Sequence, residues 1–148
     1  MDESSLLLRQ IPHSIEAEQS VLGAMLIDAR CIPDVVEALT GEDFYLKANR
    51  EIYETIYTMF NFSATIDPVT VLDQMKLTGV YDENTSRSYL LQLMEITPTA
   101  ANVKEYIRIV KDKALLRRIA ETAGDMTAMV QQGTDSGQDV LEAAEQRV

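Results

Sequence analysis

Apolar residues recur at helical rather than alternating intervals along nearly the whole chain, and proline and glycine cut that pattern into segments. Ile15, Val21, Leu22, Met25 and Leu26 define a first helix over about residues 14–28, behind the extended lead Ile11-Pro12-His13. Ser14 can cap it by accepting from a first-turn amide, and Glu16 and Glu18 suit the positive end of the helix dipole. Pro33 opens a second helix through Leu39, which Gly41 is suited to terminate. Leu46, Ile52, Tyr53, Ile56, Tyr57 and Phe60 share one stripe and predict a third helix over residues 44–60. Asp67-Pro68 caps and starts a fourth helix to about Leu77, ended by Gly79, and the polar stretch from Asn84 to Ser88 opens a fifth through Met94. The reading is all-α, with a compact helical bundle over residues 1–97.

Beyond Thr97-Pro98 the character changes, because no proline or glycine interrupts residues 99–123 and the periodicity continues to about Gln132. A helix over roughly 34 residues is ~50 Å long, more than a bundle of this size needs, so it is expected to project. Leu116, Ile119, Ala123, Met126 and Val130 recur at alternating steps of three and four, a coiled-coil-like seam. Gly133 to Gly137 supplies a turn, after which Leu141, Ala144 and Val148 resume the spacing. Residues 98–148 therefore read as an antiparallel helical hairpin. Its second arm stops at Arg147-Val148 with no glycine or proline, which predicts that the natural protein continues. One hairpin cannot cover apolar residues on both of its faces, so the seam Leu116, Ile119, Ala123, Met126, Val130 and Leu141 is expected to meet another copy. The alternative is that the bundle folds back over it in a monomer.

Chemistry is sparse. Catalysis requires a nucleophile with its base, paired carboxylates in a cleft, a metal cluster or a phosphate loop, and none is legible. No catalytic residue, bound cofactor or metal is therefore expected in this segment. His13 reads as a surface or capping residue, and the single cysteine, Cys31, as a small core residue rather than a reactive thiol. The pairs Glu16 and Glu18, and Glu51 and Glu54, read as solvated helix faces. One cysteine permits no internal disulfide, which fits a reducing cytosol. Asp2 and Glu3 stand where a secretory signal has basic residues, Leu6-Leu7-Leu8 is too short for its apolar core, and no run approaches a membrane span. A cytoplasmic location follows as the expectation.

Thirteen lysines and arginines against 24 aspartates and glutamates give a net charge of −11, so the chain as a whole repels a phosphate backbone. Residues 104–118 reverse this locally: Lys104, Arg108, Lys111, Lys113, Arg117 and Arg118 face only Glu105 and Asp112. Lys104, Arg108, Lys111 and Arg118 fall along one face of the long helix. That basic stripe reads as a solvated face or a partner for acidic groups of a neighbour. A contact with single-stranded DNA is the weaker branch, because no aromatic residues are interleaved for base stacking.

Two stretches carry a family resemblance. Ile11-Pro12 with Ser14-Ile15-Glu16-Ala17-Glu18-Gln19-Ser20-Val21-Leu22-Gly23-Ala24 resembles the opening signature of the N-terminal domain of DnaB-type bacterial replicative helicases. Pro98 to Val103, Tyr106 to Val110 and Lys113 to Arg118 resemble the start of that family's helical hairpin, and Asp43-Phe44-Tyr45 and Asp67 to Val71 match between them. The sequence departs from the pattern at His13, at Asn49 where histidine is frequent, across Glu83 to Arg87, and at Ala120.

The resemblance implies a collar domain that joins copies into a dimer, or a hexamer built as a trimer of dimers, and docks the C-terminal domain of a DnaG-type primase during DNA replication. A helicase loader is a further implied partner. ATP and magnesium would belong to a separate motor domain of the parent helicase. By position, Glu16, Tyr89, Tyr106, Arg117, Ala120 and Met126 resemble the primase-contacting surface, although Tyr89 and Tyr106 would equally fill the core. The rival reading is a free-standing helical adaptor or dimerisation domain with no motor.

Overall fold

The computed structural model describes residues 11–147, and among these it is all-helical. The helices are α1 (Ile15–Ile27), α2 (Ile32–Ala38), α3 (Lys47–Asn61), α4 (Pro68–Thr78), α5 (Ser86–Glu95), α6 (Val103–Gln132) and α7 (Gly137–Arg147). Short 3-10 turns at Ala29–Cys31 and Gly41–Asp43 flank α2. The described residues divide into two compact units, residues 14–111, here the head, and residues 11–13 with 112–147, here the arm. The run Leu6-Leu7-Leu8, and Val148 at the end of the apolar spacing read for the second arm, lie outside the described residues.

Caps set several boundaries in the head. Ser14 Oγ accepts from Ala17 N at 3.2 Å to start α1. Asp67 Oδ1 accepts from Thr70 N at 2.9 Å while Thr70 Oγ1 accepts from Asp67 N at 2.9 Å, so α4 opens on a reciprocal box with Pro68 inside it. Gly79 ends α4 at φ 80°, a left-handed conformation that glycine adopts without a Cβ penalty.

Two expected boundaries move, for a shared reason. Gly41 does not terminate α2; Leu39 caps it, and Gly41 begins the next 3-10 turn, where Asp43 Oδ2 takes the Thr40 amide at 2.8 Å. α3 starts at Lys47 rather than Phe44, because the Tyr45 and Leu46 amides donate to the Glu18 carboxylate instead of entering a helix. Side-chain acceptors thus capture backbone donors that periodicity had assigned to helices.

The head core gathers Val21, Leu22 and Met25 of α1, Phe44, Ile52, Tyr53 and Ile56, Val71 of α4, and Leu90 and Leu93 of α5. Val103, Ile107 and Val110, in the opening turns of α6, belong to the same cluster. Phe44 and Tyr53 stack with centroids 4.9 Å apart, and the Tyr53 hydroxyl donates to Leu39 O at 2.5 Å. Burial pushes that phenol up to about 12. α1 packs most extensively on α5, and Gly23 is what lets them approach. A Cβ there would sit 2.1 Å from Thr97 Oγ1 and 2.4 Å from Leu93 O.

Candidate functional site

The arm carries a run of apolar side chains at three-four spacing without cover in its own unit. α6 and α7 turn back on each other, as the ion pair between Asp125 and Arg147 across the intervening turn shows. Thr122, Val140 and Ala144 are buried. The seam residues are not: Leu116 is 40% exposed, Ile119 45%, Val130 67% and Leu141 49%, Ala123 is exposed, and Met126 is half-buried. An apolar edge of this length in water is unfavourable at about 25 cal/mol per Å², so it is a surface suited to a partner.

Of the primase-contact candidates, Glu16, Tyr89 and Tyr106 lie in the head, and Arg117, Ala120 and Met126 in the arm. Glu16 and Ala120 are exposed and Tyr106 is half-buried. Arg117 Nη1 donates to Pro12 O at 2.8 Å, so its guanidinium also holds the start of the described chain.

Tyr89 is the visible end of a buried polar chain that periodicity did not disclose. Gln19 Nε2 donates to the Tyr89 hydroxyl at 3.3 Å, and that hydroxyl donates to Asn49 Oδ1. Asn49 Nδ2 donates to Glu18 Oε1 at 3.0 Å. Glu18 also accepts from Tyr45 N at 2.7 Å and Leu46 N at 3.3 Å. The carboxylate, 1% exposed, corrects the expectation of a solvated face for Glu18. Its cost of burial is offset by donors from the α2–α3 connection and from α3. The signal was present: position 18 sits three, four and seven residues before Val21, Leu22 and Met25, on the buried stripe. Burial, with the Glu18 charge adding to it, holds the Tyr89 phenol above its ordinary range. The other acidic pair, Glu51 and Glu54, is half-buried and exposed respectively.

The basic stripe residues Lys104, Arg108, Lys111 and Arg118 are all exposed on α6. Arg108 Nε donates to Glu105 Oε1 at 3.0 Å, and Lys104 and Lys111 share a hollow with Asp34 and Glu37 of α2. Carboxylates of the same chain thus already lie beside Lys104, Arg108 and Lys111. His13 Nδ1 lies 2.8 Å from Ile11 O. Cys31 is buried, and desolvation pushes its thiol up to about 11, with Asp28 adding to the effect. Among the described residues, no group of three or more His, Cys, Asp or Glu side chains could hold a metal ion, and no helix is long and apolar enough to cross a membrane.

Residues 10–112 match the family described as the DnaB-like helicase N terminal domain. The chain belongs to that family. It is 38% identical over 121 residues to the replicative DNA helicase DnaB of Leifsonia xyli subsp. xyli, covering 82% of this chain and 26% of the relative. The DnaB of Mycobacterium leprae is 39% identical over 139 residues, 93% of this chain and 22% of the relative. The chain therefore spans about a quarter of the length of the curated DnaB relatives it matches. Among solved structures, the N-terminal domain of DnaB from Mycobacterium tuberculosis aligns with a TM-score of 0.86 and 35% identity, covering 93% of this chain and 98% of that one. The N-terminal domain of DnaB from Helicobacter pylori, described with its interactions with primase, shares the fold at a TM-score of 0.68 and 18% identity, over 88% and 99% of the two chains. The DnaB resemblance read from Ser14 to Ala24 and from Pro98 to Arg118, and the all-α fold, are both confirmed.

Proposed function

We propose that this domain is the N-terminal collar of a replicative DNA helicase, joining copies of itself through the α6 and α7 edge and docking the C-terminal domain of a DnaG-type primase. The observation that carries the reading is the exposed seam of Leu116, Ile119, Ala123, Val130 and Leu141, which leaves an apolar strip for a second chain. Pairing two such edges gives a self-complementary contact, and with a second contact elsewhere dimers can close into a ring. Support for primase as the partner comes from membership of the DnaB family and from the primase interactions described for the Helicobacter pylori domain. Glu16, Tyr89, Tyr106, Arg117, Ala120 and Met126 are the residues proposed to meet it. In this reading the domain works in the cytoplasm on a connecting task, while ATP and magnesium act in the motor domain of the parent protein and a loader acts on the assembled ring.

Sedimentation equilibrium and titration with the cognate primase C-terminal domain test the proposal together. The expected mass is a multiple of 16.6 kDa, with saturable primase binding. A monomer at high concentration that ignores primase overturns it and leaves the free-standing adaptor.

A further inference from the structure

A hollow of about 540 Å³ opens in the head between α1, α3, α4 and α5, and no seam residue lines it. Ile52 and Met75, both buried, and the half-buried Leu46 and Val80 give it an apolar floor, and the Tyr89 ring forms part of one wall. Its charged lining is Glu51 and Asp82; no lysine or arginine contributes. Asp82 is fixed in place, because its Oδ1 accepts from Asn84 N at 2.8 Å and Thr85 N at 3.1 Å. A second hollow of about 210 Å³ shares Glu51 and Val80 with the first and adds Glu54 and Gln74, so the depression is elongated and its acidic margin continues along α3.

We infer that this depression is a docking groove for a basic amphipathic segment of a partner protein, with an apolar side chain on the Ile52 and Met75 floor and flanking lysines or arginines at Glu51 and Asp82. Several features favour a polypeptide. The groove is open and continues into the second hollow, and its floor offers apolar area but no buried unpaired polar atom to orient a small ligand. Its charge is of one sign, on a chain that already carries −11. The complementary occupant is therefore cationic and anchored by an apolar residue, the usual division between an apolar anchor and a charged rim. The inference is independent of the arm, since no groove residue lies in the seam.

The test uses the whole chain, labelled with nitrogen-15, and three short synthetic peptides. One is an amphipathic helix former of leucine, lysine and arginine, one is its acidic twin with glutamate for every basic residue, and one keeps the basic residues but replaces leucine by serine. The expected result is saturable movement of the Gln19, Ala48, Ser88 and Gln92 amide signals with the first peptide alone, weakened by added salt. Ala48 and Ser88 are exposed lining residues, so Ala48→Trp obstructs the mouth without entering the core and should abolish saturation. The double substitution Glu51→Gln with Asp82→Asn keeps the acceptors that hold the α5 start and removes both charges, and it should weaken binding about fivefold. Ile119→Asp, on the seam, should leave the peptide affinity unchanged, which separates this inference from the collar reading. Absence of saturation with the basic peptide, equal binding of the acidic twin, or signal movement confined to the arm overturns the inference.

Discussion

The head and the arm use the same kind of sequence, amphipathic helix, to opposite ends. In the head, Val21, Leu22, Met25, Ile56 and Leu93 close on one another, and even a carboxylate is taken inside with its donors supplied. In the arm, Ala114, Thr122, Val140 and Ala144 find cover, while Leu116, Ile119, Val130 and Leu141 stay in water. The difference teaches that helical periodicity states which residues want burial but not who buries them. A head substitution should therefore be read out in the stability of one chain, and a seam substitution in the association of several.

The sharpest break of the comparison is Glu18→Ala. It strands the Tyr45 and Leu46 amides and Asn49 Nδ2 inside the head, and a cost of about 3 kcal/mol or more is expected in urea unfolding monitored by circular dichroism. A cost below about 1 kcal/mol would mean that water reaches the site. The double variant Leu116→Asp with Ile119→Asp is the reciprocal case. Each side chain is well exposed, so head unfolding should be unchanged, while self-association measured by sedimentation weakens about a hundredfold or more from loss of apolar burial in the contact. Unchanged association would remove the seam from any interface.

Next in size is Gly23→Ala. The new methyl meets Thr97 Oγ1 and Cβ and Leu93 O; a rotamer change moves only the Oγ1, so relief requires shifting α5 and the residues that follow it. A loss of about 2 kcal/mol is expected, since overpacking of this kind costs about 1–3 kcal/mol. Cys31 reports on the same compactness. With its thiol raised from 9.0 to about 11, the reactive thiolate is about a hundredfold scarcer at neutral pH. Iodoacetamide should thus label it slowly in the native chain, faster in Gly23→Ala, and at an unchanged slow rate in the seam variant. Rapid labelling of the native chain would show that the head opens around α2.

Much of this architecture could be read before any coordinates. Periodicity placed the helices, Ser14 and Asp67 marked two starts, Gly79 marked a stop, and the three-four spacing from Leu116 to Val130 marked the strip now seen to be exposed. What escaped depends on contacts distant in sequence. Glu18 looks like a helix-dipole residue until the chain returns 27 positions later with the Tyr45 amide, and the start of α3 moves for that reason. The groove was equally hidden, because Glu51 and Asp82 become one margin only when α3 and the loop before α5 come together. Local rules reach the elements; pairing of remote polar groups needs the fold.

The smallest expected effect concerns what holds the two arms of the hairpin together. Asp125 and Arg147 pair across it, yet their side chains are 55% and 51% exposed, and exposed pairs contribute about 0.2–1 kcal/mol at most. Asp125→Asn should lower arm stability by about 0.5 kcal/mol or less, with the difference vanishing in high salt, as read from hydrogen exchange of the α7 amides. Val140→Ala removes buried apolar volume from the same hairpin and should cost more, about 1 kcal/mol or above, with no dependence on salt. That order would assign the pairing of α6 and α7 to apolar burial, as in the head, with the seam left over for another chain. The reverse order, with Asp125→Asn dominant, would make the hairpin an electrostatic clip whose apolar residues are all available for partners, and the contrast between head and arm would then be one of chemistry as well as of cover.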